Sequence, residues 1–276
     1  MIHRRVSRRA LLAGASGLAC VALAPSVLAA EGGGAIKHYI LIELLPGADQ
    51  LELDRWYMTF HAPQVRRAFQ AWQRDYLSFR SYLPPEPAVK RYRVEFGRMT
   101  EIHFASLDAF RESRRNSLYG ELSSFTPPPG GWARNRIFRT VTATIPVNPD
   151  TLYLSQPTPP KEEPYFRWIA FLRYPAGVSL ADGDAWFDSI HAREVSKLPG
   201  LRRFGFYKTV SERAEYARVM ELWFDDYAAW QAAFLNPEPH FTPPVWAKTY
   251  PFFETASMFV GENPDIDFIH DDRVIP

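Results

Sequence analysis

Cysteine is nearly absent from this 276-residue chain: Cys20 is the only one. It lies in a leader-like segment, so the rest of the chain has no disulfide, thiolate nucleophile, cysteine-bound zinc or iron–sulfur cluster. Acid is absent from residues 1–30, which hold Arg4, Arg5, Arg8 and Arg9. Glycine-rich phosphate loops, G-x-S-x-G, H-E-x-x-H and C-x-x-C-H are absent throughout. Their absence argues against hydride transfer, elbow-type serine hydrolysis, zincin proteolysis and c-type haem.

Residues 1–30 read as an export signal. Ser7-Arg8-Arg9-Ala10-Leu11-Leu12 is a twin-arginine pattern, and the run from Ala10 to Ala30 is uncharged and ends in small residues. Cleavage near Ala30, use of the twin-arginine export machinery and a periplasmic or secreted location are the expectations. A membrane anchor and a lipoprotein signal ending at Cys20 are the alternatives. Without this segment the formal charge falls from +1 to −3 (1 − 4). No basic field remains to suggest nucleic-acid binding. With 46 % hydrophobic residues over the full chain, what remains is long enough to bury a core.

What is present is a repeat. "DRWYMTFHAPQV" (54–65) matches "DAWFDSIHAREV" (184–195), each with a central histidine, His61 and His191 (191 − 61 = 130). "TEIHFASLDAF" (100–110) matches "MELWFDDYAAW" (220–230), and "FTPPPGG" (125–131) matches the proline-rich "PEPHFTPP" (237–244). Apolar runs and breakers predict strands over 39–45, 76–83, 92–104 and 137–145, with helices from about Asp49 and over 106–116. The second half predicts strands over 166–174, 201–208, 217–224 and 253–260, with helices over 182–197 and 225–234. Residues 148–164 read as a linker and 262–276 as a polar tail. Each half, 36–147 and 165–261, thus reads β-α-β-β-α-β, the ferredoxin-like order. The fold class expected is α+β: two ferredoxin-like units in one chain, sheet against sheet, as a pseudo-dimeric α/β barrel. The duplication permits a monomer.

His61-Ala62-Pro63 in the first half, and His191-Ala192-Arg193 with Leu198-Pro199-Gly200-Leu201-Arg202-Arg203-Phe204 in the second, carry a family resemblance. On these residues the chain resembles the EthD-like branch of the dimeric α/β-barrel superfamily, although neither half holds the whole pattern. The resemblance implies a cavity between sheet and helices for small, often aromatic or polyketide-like ligands. Relatives it implies include muconolactone-type isomerases, polyketide cyclases and dehydratases, and haem-binding oxygenases and peroxidases.

The candidate catalytic residues are His61, His103 and His191, because histidine alternates between acid and base near neutral pH. Tyr57 precedes His61 by four residues and shares its helix face. Trp56, five before, falls about 140° away on a regular α-helix. If "TEIHF" is a strand, Glu101 and His103 share a face, and Glu221 and Trp223 are their counterparts. Tyr57, Glu101, Arg202 and Trp223 are the candidate substrate-binding residues, with Arg202 a carboxylate ligand or a solvated edge. Glu43 in "ILIELL" would have a raised pKa if it faced inward. Asp265, Asp267, Asp271 and Asp272 lack calcium-loop spacing. The expected function is an exported enzyme with metal-free acid–base chemistry (isomerase, cyclase or dehydratase type) on an aromatic, polyketide-like or lactone substrate. No metal and no cofactor are required. A ligand-binding protein without catalysis and a b-type haem protein are the alternatives.

Overall fold

Nine consecutive residues rich in β-branched and aromatic side chains, IKHYILIEL, form strand β1 (Ile36–Leu44), and nearly all of them are buried. Burial on both faces marks a central strand. In the computed structural model, which describes residues 34–82, 86–115, 125–132, 137–155, 162–210 and 214–271, β1 lies between β3 (Phe96–Phe104) and β4 (Phe138–Pro146), antiparallel to both. With β2 (Gln73–Arg80) and β10 (Ile266–Asp267) they form a sheet in the order β10-β2-β3-β1-β4. The second sheet, β5-β7-β8-β6-β9, comprises β5 (Thr151–Leu154), β6 (Phe166–Arg173), β7 (Leu201–Lys208), β8 (Arg218–Phe224) and β9 (Glu254–Gly261). The fold is α+β with two antiparallel sheets, and the ferredoxin-like order appears in each half.

Two strands lie where the sequence predicts a linker and a tail. β5, within 148–164, adds to the edge of β7 in the second sheet, and β10, within 262–276, adds to the edge of β2 in the first. The segment following each half thus completes the other half's sheet. The tail is also tied down by buried Phe268 and by Asp265, which pairs with the buried Arg98 at 3.1 Å. A third difference is at Tyr92. The sequence places it at a strand start, but Glu86–Tyr92 is a helix, and β3 begins only at Phe96. Arg93 turns the chain with a positive φ of 48°.

The helices pack outside the sheets. In the first half, Asp49 caps α1 (Gln50–Trp56), a π-helical turn covers Tyr57–His61, and α2 runs Ala62–Phe69. After α3 (Glu86–Tyr92) comes α4 (Leu107–Arg115), capped by Ser106 through the Ala109 N–H at 3.1 Å. In the second half, α5 (Leu180–Trp186), a π turn over Phe187–His191 and α6 (Ala192–Val195) repeat the first arrangement. α7 (Tyr227–Phe234) is capped by Asp226. The proline at position 63 is not the cause of the π turn, since the same turn forms where Arg193 stands in its place. Both halves also pin a proline-rich loop to this helix: Gln64 bonds the Thr126 N–H and hydroxyl at 3.0 Å, and Glu194 bonds the Thr242 N–H at 3.0 Å and its hydroxyl.

Three apolar clusters result. One lies between the sheets, with Tyr39, Leu41, Met99 and Ile145 against Ile169, Phe171, Val219 and Met258. The other two lie between each sheet and its helices. No helix among the described residues is long and apolar enough to cross a membrane.

Candidate functional site

Side chains alternate along β1, so Lys37, Tyr39 and Leu41 face the second sheet while His38, Ile40 and Ile42 face the helices. On that helical side lies a cavity of about 150 Å³. Its floor is His38, Ile40 and Ile42 of β1, Gln73 and Tyr76 of β2, Thr100, Ile102 and Phe104 of β3, and Phe138 and Thr140 of β4. Trp56, Tyr57, His61, Val65 and Phe69 cover it from one side, Phe110, Ser113 and Arg114 from the other.

The π turn sets this roof. Its Ala62 N–H reaches the Tyr57 carbonyl, a closure of five residues instead of four. Each residue therefore turns less about the axis, and positions five apart come onto one face. Trp56 stacks on His61 with ring centroids 4.7 Å apart and planes at 23°, instead of pointing away from it as a regular α-helix requires. Trp186 and His191 stack likewise, at 5.0 Å and 17°. Trp132, on the pinned loop, meets both Trp56 and His61 edge-on at 5.9 and 6.1 Å.

Apart from Arg114 at the rim, the polar groups of the cavity are neutral. Burial lowers the pKa of His61 to about 4, and its Nδ1 meets no protein partner among the described residues. Burial, with a smaller contribution from the Arg114 charge, lowers His38 to about 3, and its Nδ1 is 2.8 Å from the Thr144 hydroxyl. Tyr57 is hydrogen-bonded to Thr100 at 2.7 Å and to Tyr76 at 3.3 Å, and burial raises both phenols. Gln73 is buried, and neither end of its amide has a protein partner among the described residues.

In the second half the corresponding positions carry mostly apolar side chains, packed in one cluster. Phe104 pairs with Ile36 and Gln73, and Phe224 with Phe166 and Leu201. This register sets His38 against Trp168, Gln73 against Leu201, Tyr76 against Phe204, Thr100 against Met220 and Thr144 against Phe259. On the helices, Tyr57 corresponds to Phe187 and Arg114 to Phe234. Of the polar groups that line the cavity, His61 keeps its identity as His191 and Thr140 as Thr255. His191 is fully buried, with Phe241, Tyr250, Phe252 and Phe253 around it, and neither ring nitrogen has a protein partner among the described residues.

The remaining candidates do not join His61. Glu101, His103 and Trp223 face the layer between the sheets, where two buried ion pairs cross reciprocally. Lys37 of β1 meets Glu221 of β8 at 2.7 Å, and Arg167 of β6 meets Glu101 of β3 at 3.4 Å. Tyr39 also donates to Glu221. Burial alone would raise Glu221, but Lys37 and Arg167 outweigh it and hold the carboxyl low. His103 sits between Glu101 (2.7 Å) and Asp75 (2.8 Å), and these carboxylates raise its pKa against the effect of burial. Trp223 is flanked by the guanidinium groups of Arg167 and Arg203 at 5.0 and 5.3 Å. Arg202 is paired with Asp225 at 2.5 Å on the outside, and Glu43 with Arg139 through two bonds of 2.6 Å. Asp75, Asp267 and His270 hold ligand atoms within 4.8 Å of one another at an exposed edge, where Asp267 also caps the turn at Ile269 and His270. Among the sequence candidates, the cavity thus holds Tyr57 and His61. His38, Gln73, Tyr76 and Thr100 join them without a motif of their own.

No family model matches the chain, and no curated protein matches it. Among solved structures it is similar to an anthrone oxidase-like protein, at 10 % identity over 86 % of this chain and 96 % of that one, with a TM-score of 0.47. It is also similar to a mutant chlorite dismutase from Candidatus Nitrospira defluvii, at 7 % identity over 84 % and 92 % of the two chains, with a TM-score of 0.41.

Proposed function

We propose that the chain is a tandem pair of ferredoxin-like units in a pseudo-dimeric α/β barrel, exported by the twin-arginine route, whose first unit is a single-site enzyme of metal-free acid–base chemistry. Support for the pairing comes from the shared strand order, the exchanged edge strands and the reciprocal Lys37–Glu221 and Arg167–Glu101 pairs. The observation that carries the assignment of function is the asymmetry of the halves. A histidine retained in both sits over a cavity with polar groups in one, and within packed aromatic rings in the other.

In the proposed reaction His61 is the base. A neutral imidazole can take a proton from a carbon next to a carbonyl, or from an enol, and return it to another atom of the same ligand, which is an isomerisation. Burial keeps His61 unprotonated before the ligand enters. Once the proton has moved, the negative charge on the ligand stabilises the imidazolium that burial disfavours. The Tyr57 hydroxyl, which donates to Tyr76 in this structure, can turn its one proton to the ligand oxygen while accepting from the Thr100 hydroxyl. Trp56 fixes the imidazole plane by stacking on it.

The volume bounds the ligand. An apolar cavity of about 150 Å³ in another protein holds one benzene molecule. The ligand therefore enters with about one ring. A haem group does not fit this cavity of about 150 Å³, so no haem chemistry is assigned to it.

The test is turnover with enolisable single-ring ketones and lactones. His61→Ala is expected to abolish it while circular dichroism is unchanged, and Tyr57→Phe to slow it about a hundredfold to a thousandfold through loss of one oxyanion donor. The free-enzyme rate, kcat/KM, should be flat above about pH 5 and fall as pH drops through about 4, where His61 takes up a proton. Tight binding with no turnover of any of these compounds would leave a carrier in place of an enzyme.

A further inference from the structure

Gln73 begins β2, paired with Phe104 at the end of β3, and only 7 % of its surface is exposed. Both amide atoms are buried without a protein partner among the described residues, and the side chain lines the cavity. Each unpaired buried polar group costs about 1–3 kcal/mol. At the same register in the second half stands Leu201, which avoids that cost. An amide presents one acceptor and a donor side by side, so its complement is a group offering a donor and an acceptor together, such as a carboxamide or a hydroxy-ketone.

The charge of the lining narrows the class further. Around the ring-sized space stand His38, His61, Tyr57, Tyr76 and Thr100, all neutral in the fold. The one cation of the lining, Arg114, is exposed at the rim with its guanidinium 5.5 Å over the Phe110 ring. An anion moving into the space beneath would lose its hydration and meet no buried opposite charge there.

We propose that this cavity selects neutral single-ring ligands that carry a donor and an acceptor side by side, and that Gln73 is the residue that reads them. The proposal rests on the cavity being the working site. The experiment is calorimetric titration of the full chain at pH 7.5 with benzamide, toluene and benzoate, in parallel with Gln73→Leu, which installs the second half's residue. Benzamide is expected to bind about tenfold tighter than toluene, the worth of one or two net hydrogen bonds. Benzoate should bind at least about tenfold more weakly than benzamide, since its charge must be desolvated. In Gln73→Leu benzamide should lose its advantage while toluene stays within about twofold, a change too small to signify a lost hydrogen bond. Benzoate binding as tightly as benzamide, or a benzamide advantage that survives in Gln73→Leu, would overturn the proposal and leave the cavity reading standing. Absence of binding by both toluene and benzamide would instead overturn the cavity reading, and the proposal with it. Gln73→Met serves the same comparison if the leucine variant loses its native circular dichroism.

Discussion

Replacing His191 by phenylalanine should make the protein measurably less sensitive to acid. Burial lowers the pKa of His191 from 6.5 to about 3. Between those values the unfolded chain carries a proton on this residue and the folded chain does not. Stability therefore falls as pH drops through that window, by about 1.4 kcal/mol per pH unit for one proton. At pH 4.5 this amounts to about 2.7 kcal/mol, a large share of a typical 5–15 kcal/mol of total stability. Phenylalanine offers a ring for the stack on Trp186 and removes two ring nitrogens that have no partner among the described residues. Urea unfolding followed by circular dichroism, at half-unit steps from pH 4.5 to 7.5, gives stability against pH for both proteins. Above pH 7 the variant should match or exceed the parent. Below pH 6 the difference should grow in its favour by about 1.4 kcal/mol for each unit. Any steric misfit is the same at every pH and leaves the slope untouched. Parallel curves from pH 6 to 4.5 would refute the claim that His191 is held neutral by a dry surrounding.

Other expectations follow from the same contacts. Lys37→Met should cost about 3–5 kcal/mol in urea unfolding, because Glu221 is left buried without its nearest cation, and Lys37→Met with Glu221→Gln should recover much of that loss. Trp230→Ala should cost about 3–5 kcal/mol by opening a void in packed rings. Phe110→Ala, its counterpart beside an existing cavity, should cost less in the same assay, since fewer contacts are lost. Gln64→Ala removes two bonds to the loop at Thr126 and should destabilise by about 1–2 kcal/mol, with faster hydrogen exchange at the Thr126 amide.

Much of the fold is legible because periodicity and breakers act locally. Pro46-Gly47 and Pro175-Ala176-Gly177 end the first strand of each half, and caps at Ser106 and Asp226 start helices. The π turn is not legible. It leaves the residue pattern of a helix unchanged while rotating everything beyond it, and so brings Trp56 onto His61. The helix Glu86–Tyr92 also escapes, since "EPAVKRYRVEF" has apolar spacing that suits strand and helix alike. β5 (TLYL) and β10 (ID) are short edge strands whose pairing is entirely long-range, and the proline-rich and polar residues around them read as linker and tail. The cavity is the least legible feature, because it is a matter of what neighbouring side chains leave empty. Its trace in the sequence is a set of differences between halves, His38 against Trp168 and Gln73 against Leu201, and these acquire meaning only once strand register aligns them.

The exchange of edge strands sets a timetable for synthesis. β2, at residues 73–80, leaves the ribosome early, yet its outer neighbour is Ile266–Asp267. The second sheet has no such wait, because β5 precedes every strand it joins. The half that holds the cavity is thus the first to be made and the last to be finished. Throughout that interval the free edge of β2 is open to pairing with any strand nearby, including the same segment of a neighbouring nascent chain.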